Sequence, residues 1–301
     1  MSKIKKIYTF GTSYTAGGGF EFGLSGKEIL YSIYDNIGDD KTRESFSWPG
    51  QLKKLLPRDI DVINKSESGF GNDRMIRLIL DIVLDEDFKK EETLLFLEFS
   101  LLGRKELYSN QLDDFMILNY THSEKGNTSL MGYARNYFMS DTDTENDISK
   151  LPDESFFEDF VKNTINVDNE LRIVVNDIIM ILNLLNTMGV NYYLTQPPII
   201  EPRFVDMLNL RDRFINFDGT NYMLELGLKD MYYGSITEET DGLYDDGHFG
   251  IISSKLISSK IHDKLVTEGI IDSKPMNLNR QHYGDLLSII NSNIKSIKNK
   301  I

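Results

Sequence analysis

The chain has 301 residues, no cysteine and a formal net charge of −14 at pH 7. Hydrophobic residues make up 40 % and charged residues 27 %, enough to bury a sizeable core in one large domain or two modest ones. This composition excludes disulfides, thiolate catalysis and Cys-ligated metal centres, and the negative charge argues against nucleic acid or an anionic membrane as the main partner.

The start, Met1 to Lys6, is basic but holds no apolar stretch of signal-peptide length, and no run approaches the ~20 apolar residues of a membrane helix. Cytoplasmic synthesis is expected. Ile4 to Phe10 reads as a first strand, followed by a small-residue loop from Gly11 to Gly19. Phe20 to Phe46 shows no clear period. Trp48 to Leu56 predicts a short helix with Pro49 in its first turn, where proline is tolerated. Asp61 to Asn64 is a short strand, and Asp73 reads as the N-cap of a helix through Met75, Ile76, Ile79, Leu80 and Val83.

Thr93 to Phe99 is an almost continuous apolar run, as expected for a strand buried on both faces of a parallel sheet. The stretch from about 107 to 150 is polar and weakly periodic and reads as an insertion. From Asp141 to Asp159 it runs into eight acids against the single Lys150, a pattern that usually marks a solvated face. Leu171, Val174, Val175, Ile178, Ile179, Leu182 and Leu185 then keep helical spacing up to a stop at Gly189. Val190 to Thr195 is the next strand, ended by Pro197-Pro198. Ile252, Leu256, Ile257, Ile261 and Leu265 form the apolar stripe of a closing helix. Beyond it, 271–301 reads as a helical extension with a helix from about Tyr283 to Ile297.

Strands alternating with helices predict an α/β domain over 1–270 with a mainly parallel central sheet. In open sheets of this kind ligands bind beyond the carboxyl ends of the strands. Ser13, the loop from Gly69 to Asn72 and Ser100 all fall there by strand order. Far along the chain stands Tyr244-Asp245-Asp246-Gly247-His248-Phe249-Gly250. A serine is a weak nucleophile until a base takes its proton, and a carboxylate that orients a histidine makes that base effective. Ser13, His248 and Asp245 supply these three parts. Gly17-Gly18-Gly19 lacks the Gly-Lys-Ser/Thr ending of a phosphate loop, and His122, His262 and His282 show no ligand spacing.

The order Ser13, Asp245, His248, with Asp and His three positions apart, resembles the SGNH (GDSL-like) hydrolases. Gly11-Thr12-Ser13 is similar to that family's block I, usually Gly-Asp-Ser, with Thr12 in place of the Asp. Val62 to Asn72 resembles block II, whose glycine N–H donates to the oxyanion; Gly71 fits that place and Gly69 is its rival. Block III, Gly-x-Asn-Asp in the family, departs here, since Leu97 to Glu106 contains no Asn. Ser100 and Arg104 are the candidate substitutes, with Asn72 next. Asp245-x-x-His248 before an amphipathic helix resembles block V.

The resemblance implies an SGNH-hydrolase-like (flavodoxin-like) three-layer fold and a serine esterase acting on small acyl esters, O-acetyl groups on a glycan among them. It implies neither metal nor organic cofactor. A second expectation is a catalytically weak or inactive SGNH-fold structural protein, such as a phage virion component. In that reading the insertion and the C-terminal tail make virion or homo-oligomer contacts.

Overall fold

The computed structural model describes residues 3–17, 44–67, 71–100, 103–109, 114–122, 128–135, 154–196, 200, 202–216 and 251–276. Four strands, β1 (Lys6–Phe10), β2 (Asp61–Asn64), β3 (Thr93–Leu97) and β7 (Asn191–Leu194), form one parallel sheet in the order β2-β1-β3-β7. Between β3 and β7 come three further strands, β4 (Arg104–Ser109), β5 (Asp114–His122) and β6 (Thr128–Arg135), in a separate antiparallel sheet. The helices are α1 (Ser13–Ala16), α2 (Trp48–Leu55), α3 (Asn72–Val83), α4 (Glu154–Thr164), α5 (Val167–Met188), α6 (Pro202–Met207) and α7 (Ile251–Thr267).

The five residues of β3 are all buried, and their alternation builds the core. Leu94 and Phe96 pack with Ile7, Trp48, Leu52, Leu256, Ile257 and Ile261, so α2 and α7 cover one face. Leu95 and Leu97 pack with Met75, Ile79, Ile178, Leu182 and Leu185, so α3 and α5 cover the other. Apolar side chains on both sides of a strand require this double cover. The helix ends follow local chemistry. Ser47 accepts from Gly50 N–H at the start of α2, Asn166 accepts from Asn169 N–H at the start of α5, and α5 stops at Gly189 in the left-handed conformation, φ 70°.

Among the described residues one helix, Asp168–Met188, is long and apolar enough by composition to cross a membrane, contrary to the expectation that no run comes close. Its Ile178, Ile181, Leu182 and Leu185 are instead buried against the sheet. Only that face is buried, for Leu171, Ile173 and Met180 on the same helix are exposed.

The stretch from about 107 to 150, read as an insertion, carries strands at 114–122 and 128–135 and the end of the strand 104–109. The β5–β6 pairing is irregular between Asn119, which pairs with Gly132, and Tyr120, which pairs with Leu130, so the extra residue lies on β6. One further expectation needs correction: the helix after β2 begins two residues early, with Gly71 and not Asp73 as N-cap. Asp73 turns sideways, its Oδ2 accepting from Glu106 N–H at 2.6 Å. The tail 277–301 lies outside the described residues.

That contact belongs to the joint between the two sheets. Glu106 on β4 takes a two-pronged pair from Arg77 on α3, both contacts at 2.9 Å, and a further contact from Arg74 at 3.2 Å. Arg77 also lies over the Phe115 ring at 4.0 Å. The Glu106 side chain is only 4 % exposed, so its charge depends on these guanidinium groups. Glu106→Ala should lower unfolding free energy by about 1–3 kcal/mol in urea titration, because it removes the carboxylate that buried Arg74 and part-exposed Arg77 share. A loss below about 0.5 kcal/mol would show that the pair does not hold the sheets together.

Candidate functional site

The strand order reverses between β1 and β3: the chain goes from β1 to β2 on one side and then to β3 on the other. The crevice beyond the carboxyl ends at such a reversal is where open α/β sheets bind ligands. Register brings the loops to one level there. Phe10 pairs with Leu97 and Leu97 with Leu194, while Thr9 pairs with Asn64. Glu98 N–H donates to Phe10 O at 2.9 Å and Thr195 N–H to Leu97 O at 3.0 Å, carrying the ladder one step past the strands.

Ser13 opens α1, a single turn closed by Gly17 at φ 86°. The residue is 6 % exposed. Among the described residues neither its Oγ nor its N–H has a hydrogen-bond partner, so both are uncommitted at the crevice. The loop after β2 is tied to this turn. Asn64 Nδ2 donates to Thr15 O at 3.3 Å, and Glu67 N–H donates to Gly11 O at 3.3 Å.

Gly71, Asn72 and Ser100 form the neighbouring wall. Gly71 has an extended backbone, φ −90°, so positive φ is not why glycine stands there. A Cβ at Gly71 would lie 2.8 Å from Arg104 O and 2.7 Å from Asp73 Oδ1, so close approach is the reason. Gly69, its rival, lies outside the described residues. Asn72 and Ser100 hold each other: Ser100 N–H donates to Asn72 Oδ1 at 2.7 Å, and Asn72 Nδ2 donates to Ser100 O at 3.0 Å. Both residues are 4 % exposed. The Arg104 guanidinium reaches Ser100 Oγ at 3.5 Å. The structure therefore brings Asn72, Ser100 and Arg104 together at the end of β3. Asp245 and His248 lie outside the described residues.

A residue that sequence reasoning passed over stands at the centre. Glu98 follows β3 directly and is 1 % exposed. Thr12 Oγ1 and Glu98 Oε1 are 2.5 Å apart, Thr15 Oγ1 donates to Glu98 Oε2, and Trp48 Nε1 donates to Thr15 Oγ1 at 3.0 Å. The indole N–H can only donate, so Thr15 passes its own hydrogen to the carboxylate. Burial pushes the Glu98 carboxyl above the ordinary glutamate range, while the Thr12 and Thr15 hydroxyls and the Arg104 charge pull it partway back. Gly11 exists for this group: a Cβ there would sit 2.5 Å from Glu98 Oε2. The signal in the sequence was a single Glu ending an apolar strand, next to the serine loop in the sheet but 85 positions away in the chain (98 − 13).

Behind Asn72 and Arg104 lies a small cavity of about 100 Å³ lined also by Lys105, Tyr120, Glu170 and Asp177. Tyr120 donates to Glu170, and burial with that carboxylate holds the phenol well above its usual range, so it stays a neutral donor. Among the described residues no group of His, Asp or Glu is arranged to hold a metal ion. No family model, curated protein or solved structure matches the chain.

Two outcomes follow from this wall and its carboxylate. Asn72→Ala strips both hydrogen bonds from the buried Ser100 backbone and should cost about 1–3 kcal/mol in chemical unfolding. Unchanged stability would mean the pair is replaceable by solvent. For Glu98, a folded-state pKa raised above the unfolded value contributes stability at low pH that is lost as pH rises through that interval. Relative to Glu98→Gln, the wild-type protein should therefore lose stability as pH rises above the ordinary glutamate range. A stability difference that stays flat from about pH 4 to 8 would contradict the raised pKa.

Proposed function

We propose that this chain is an SGNH-like serine esterase acting on small acyl esters, O-acetyl groups on a glycan among them. The finer fold assignment, an SGNH-hydrolase-like three-layer arrangement, is part of the same reading. The observation that carries it is Ser13, seated at the reversal between β1 and β3 with its hydroxyl uncommitted among the described residues. Sequence resemblance supplies the partners, Asp245 and His248.

In this reading Ser13 Oγ attacks the acyl carbon as His248 accepts its proton, and Asp245 holds the imidazole tautomer. The carbonyl oxygen gains charge, and the N–H groups of Ser13 and Gly71 stabilise it. Both N–H groups lack an acceptor among the described residues, which suits that task. His248 then returns the proton to the leaving alcohol. Water, activated by His248, splits the acyl-enzyme and releases the carboxylic acid. Ser100 and Arg104 are the candidates for the third donor, whose loss is worth roughly 10²–10³ in rate. Ser100 N–H is already committed to Asn72, so any contribution from Ser100 comes through its hydroxyl.

A second reading is a catalytically inactive relative serving as a binding or structural protein, for example in a phage virion. The three-stranded sheet that follows β3, where the family carries its Asn donor, favours it.

A fluorophosphonate probe separates the two. Stoichiometric labelling of the wild-type protein that disappears in Ser13→Ala supports the esterase, and folded protein that resists labelling supports the structural role. For an active protein, kcat/KM on a small acetyl ester should rise with pH, because a histidine base must be neutral to accept the proton. A rate independent of pH between about 5 and 8 would exclude His248 as that base.

A further inference from the structure

We propose that Glu98 is a positioning residue for the nucleophile: its buried carboxylate draws in the hydroxyls of Thr12 and Thr15, which flank Ser13–Tyr14, and so sets the direction in which Ser13 Oγ leaves the β1 loop. The role as positioner of a nucleophile rests on the esterase reading of Ser13. The physical anchoring of the turn does not.

Three observations converge on it. First, α1 has four residues, far below the length at which a helix holds itself together. Its N-cap, Thr12, makes no side-chain cap bond, although a threonine in that place ordinarily accepts from a backbone N–H of the first turn. The Thr12 hydroxyl is turned to Glu98 instead. The turn has exchanged a local cap for an anchor on another strand. Second, Thr15 is fully buried and joined to Glu98 on one side and to Trp48 on the other. Trp48 is itself fixed, its ring edge-on to Phe96 on β3 at 5.8 Å and its backbone oxygen accepting from Ser258 on α7 at 2.8 Å. The anchor therefore ties the Ser13 turn to a fully buried part of the core shared by β3, α2 and α7. Third, Gly11 lets the loop run directly over the carboxylate, where any Cβ would collide with Glu98 Oε2 and Cβ.

A buried carboxyl is an expensive way to fill a core position, since an apolar side chain would avoid the desolvation cost. The cost has a counterpart if direction at the serine matters, because a 1 Å displacement of a reacting group can lower a rate by about 10²-fold. Placement on a strand end, and not on the serine loop itself, gives the anchor a rigid base.

The test uses the full-length protein with Glu98→Gln, Glu98→Ala and Thr12→Val. Glutamine can accept from Thr15 through Oε1 and donate to Thr12 through Nε2, so Glu98→Gln should keep kcat on p-nitrophenyl acetate within about threefold of wild type. Glu98→Ala should lower kcat by about 10²-fold with KM little changed, and Thr12→Val by about tenfold. Hydrogen exchange provides the readout independent of activity. The amides of Thr15, Ala16 and Gly17 are bonded within the turn. They should exchange faster in Glu98→Ala and Thr12→Val while β3 and β7 keep wild-type rates.

Unchanged exchange in the turn, or a folded Glu98→Ala with wild-type kcat, overturns the proposal. So does a fall in activity that only tracks the folded fraction. If Glu98→Ala does not fold, Thr12→Val and Glu98→Gln decide by the same readouts. A wild-type protein that neither labels nor hydrolyses defeats the esterase reading alone, and with it the nucleophile role. In that outcome exchange still decides whether Glu98 anchors the turn.

Discussion

A carboxylate enclosed at the end of the central strand is unstable unless every oxygen finds a donor, and much of the candidate site follows from meeting that demand. Glu98 takes Thr12 and Thr15 from the loop after β1, and Trp48 completes the chain from α2. Gly11 is bare because the carboxyl lies against it. These contacts place a one-turn helix, too short to form unaided, at the reversal of strand order. The sheet supplies the location and the carboxylate supplies the orientation. Neither is sufficient alone.

The wall facing the serine turn is built by the same kind of exchange between distant backbone segments. Asn72 spends its side-chain amide on the backbone of Ser100, tying the start of α3 to the end of β3. Gly71 then fits between Asp73 and the Arg104 backbone. Glu106, held by Arg74 and Arg77, docks the antiparallel sheet on that helix. The joint is ionic and largely buried, so it is specific in direction and intolerant of losing one partner. Through Arg104, which begins β4 and reaches Ser100, the second sheet is continuous with the site.

Much of the fold was legible from local pattern because burial repeats. Leu94 to Leu97 is apolar at every position since both faces of β3 are covered, and α5 ends at Gly189 since a left-handed residue closes it there. The second sheet is harder to read because its pairing is irregular: β6 carries an extra residue, Met131, between the partners of Asn119 and Tyr120. Asp73 reads as a cap because Asp favours that place. The amide of Glu106, 33 positions away, competed for it and won.

The sequence by itself determined the α/β class, the buried central strand, the stop of α5 and the place of Ser13, Gly71, Asn72 and Ser100 in the segments that follow β1, β2 and β3. These depend on neighbours a few residues apart, and such interactions repeat with a period that can be read. Tertiary structure alone decided which residues meet: Glu98 with Thr12 and Thr15, Asn72 with Ser100, Glu106 with two arginines. A buried polar group must be satisfied by whatever the fold brings within about 3 Å. Nothing in a linear chain says which distant donor that will be.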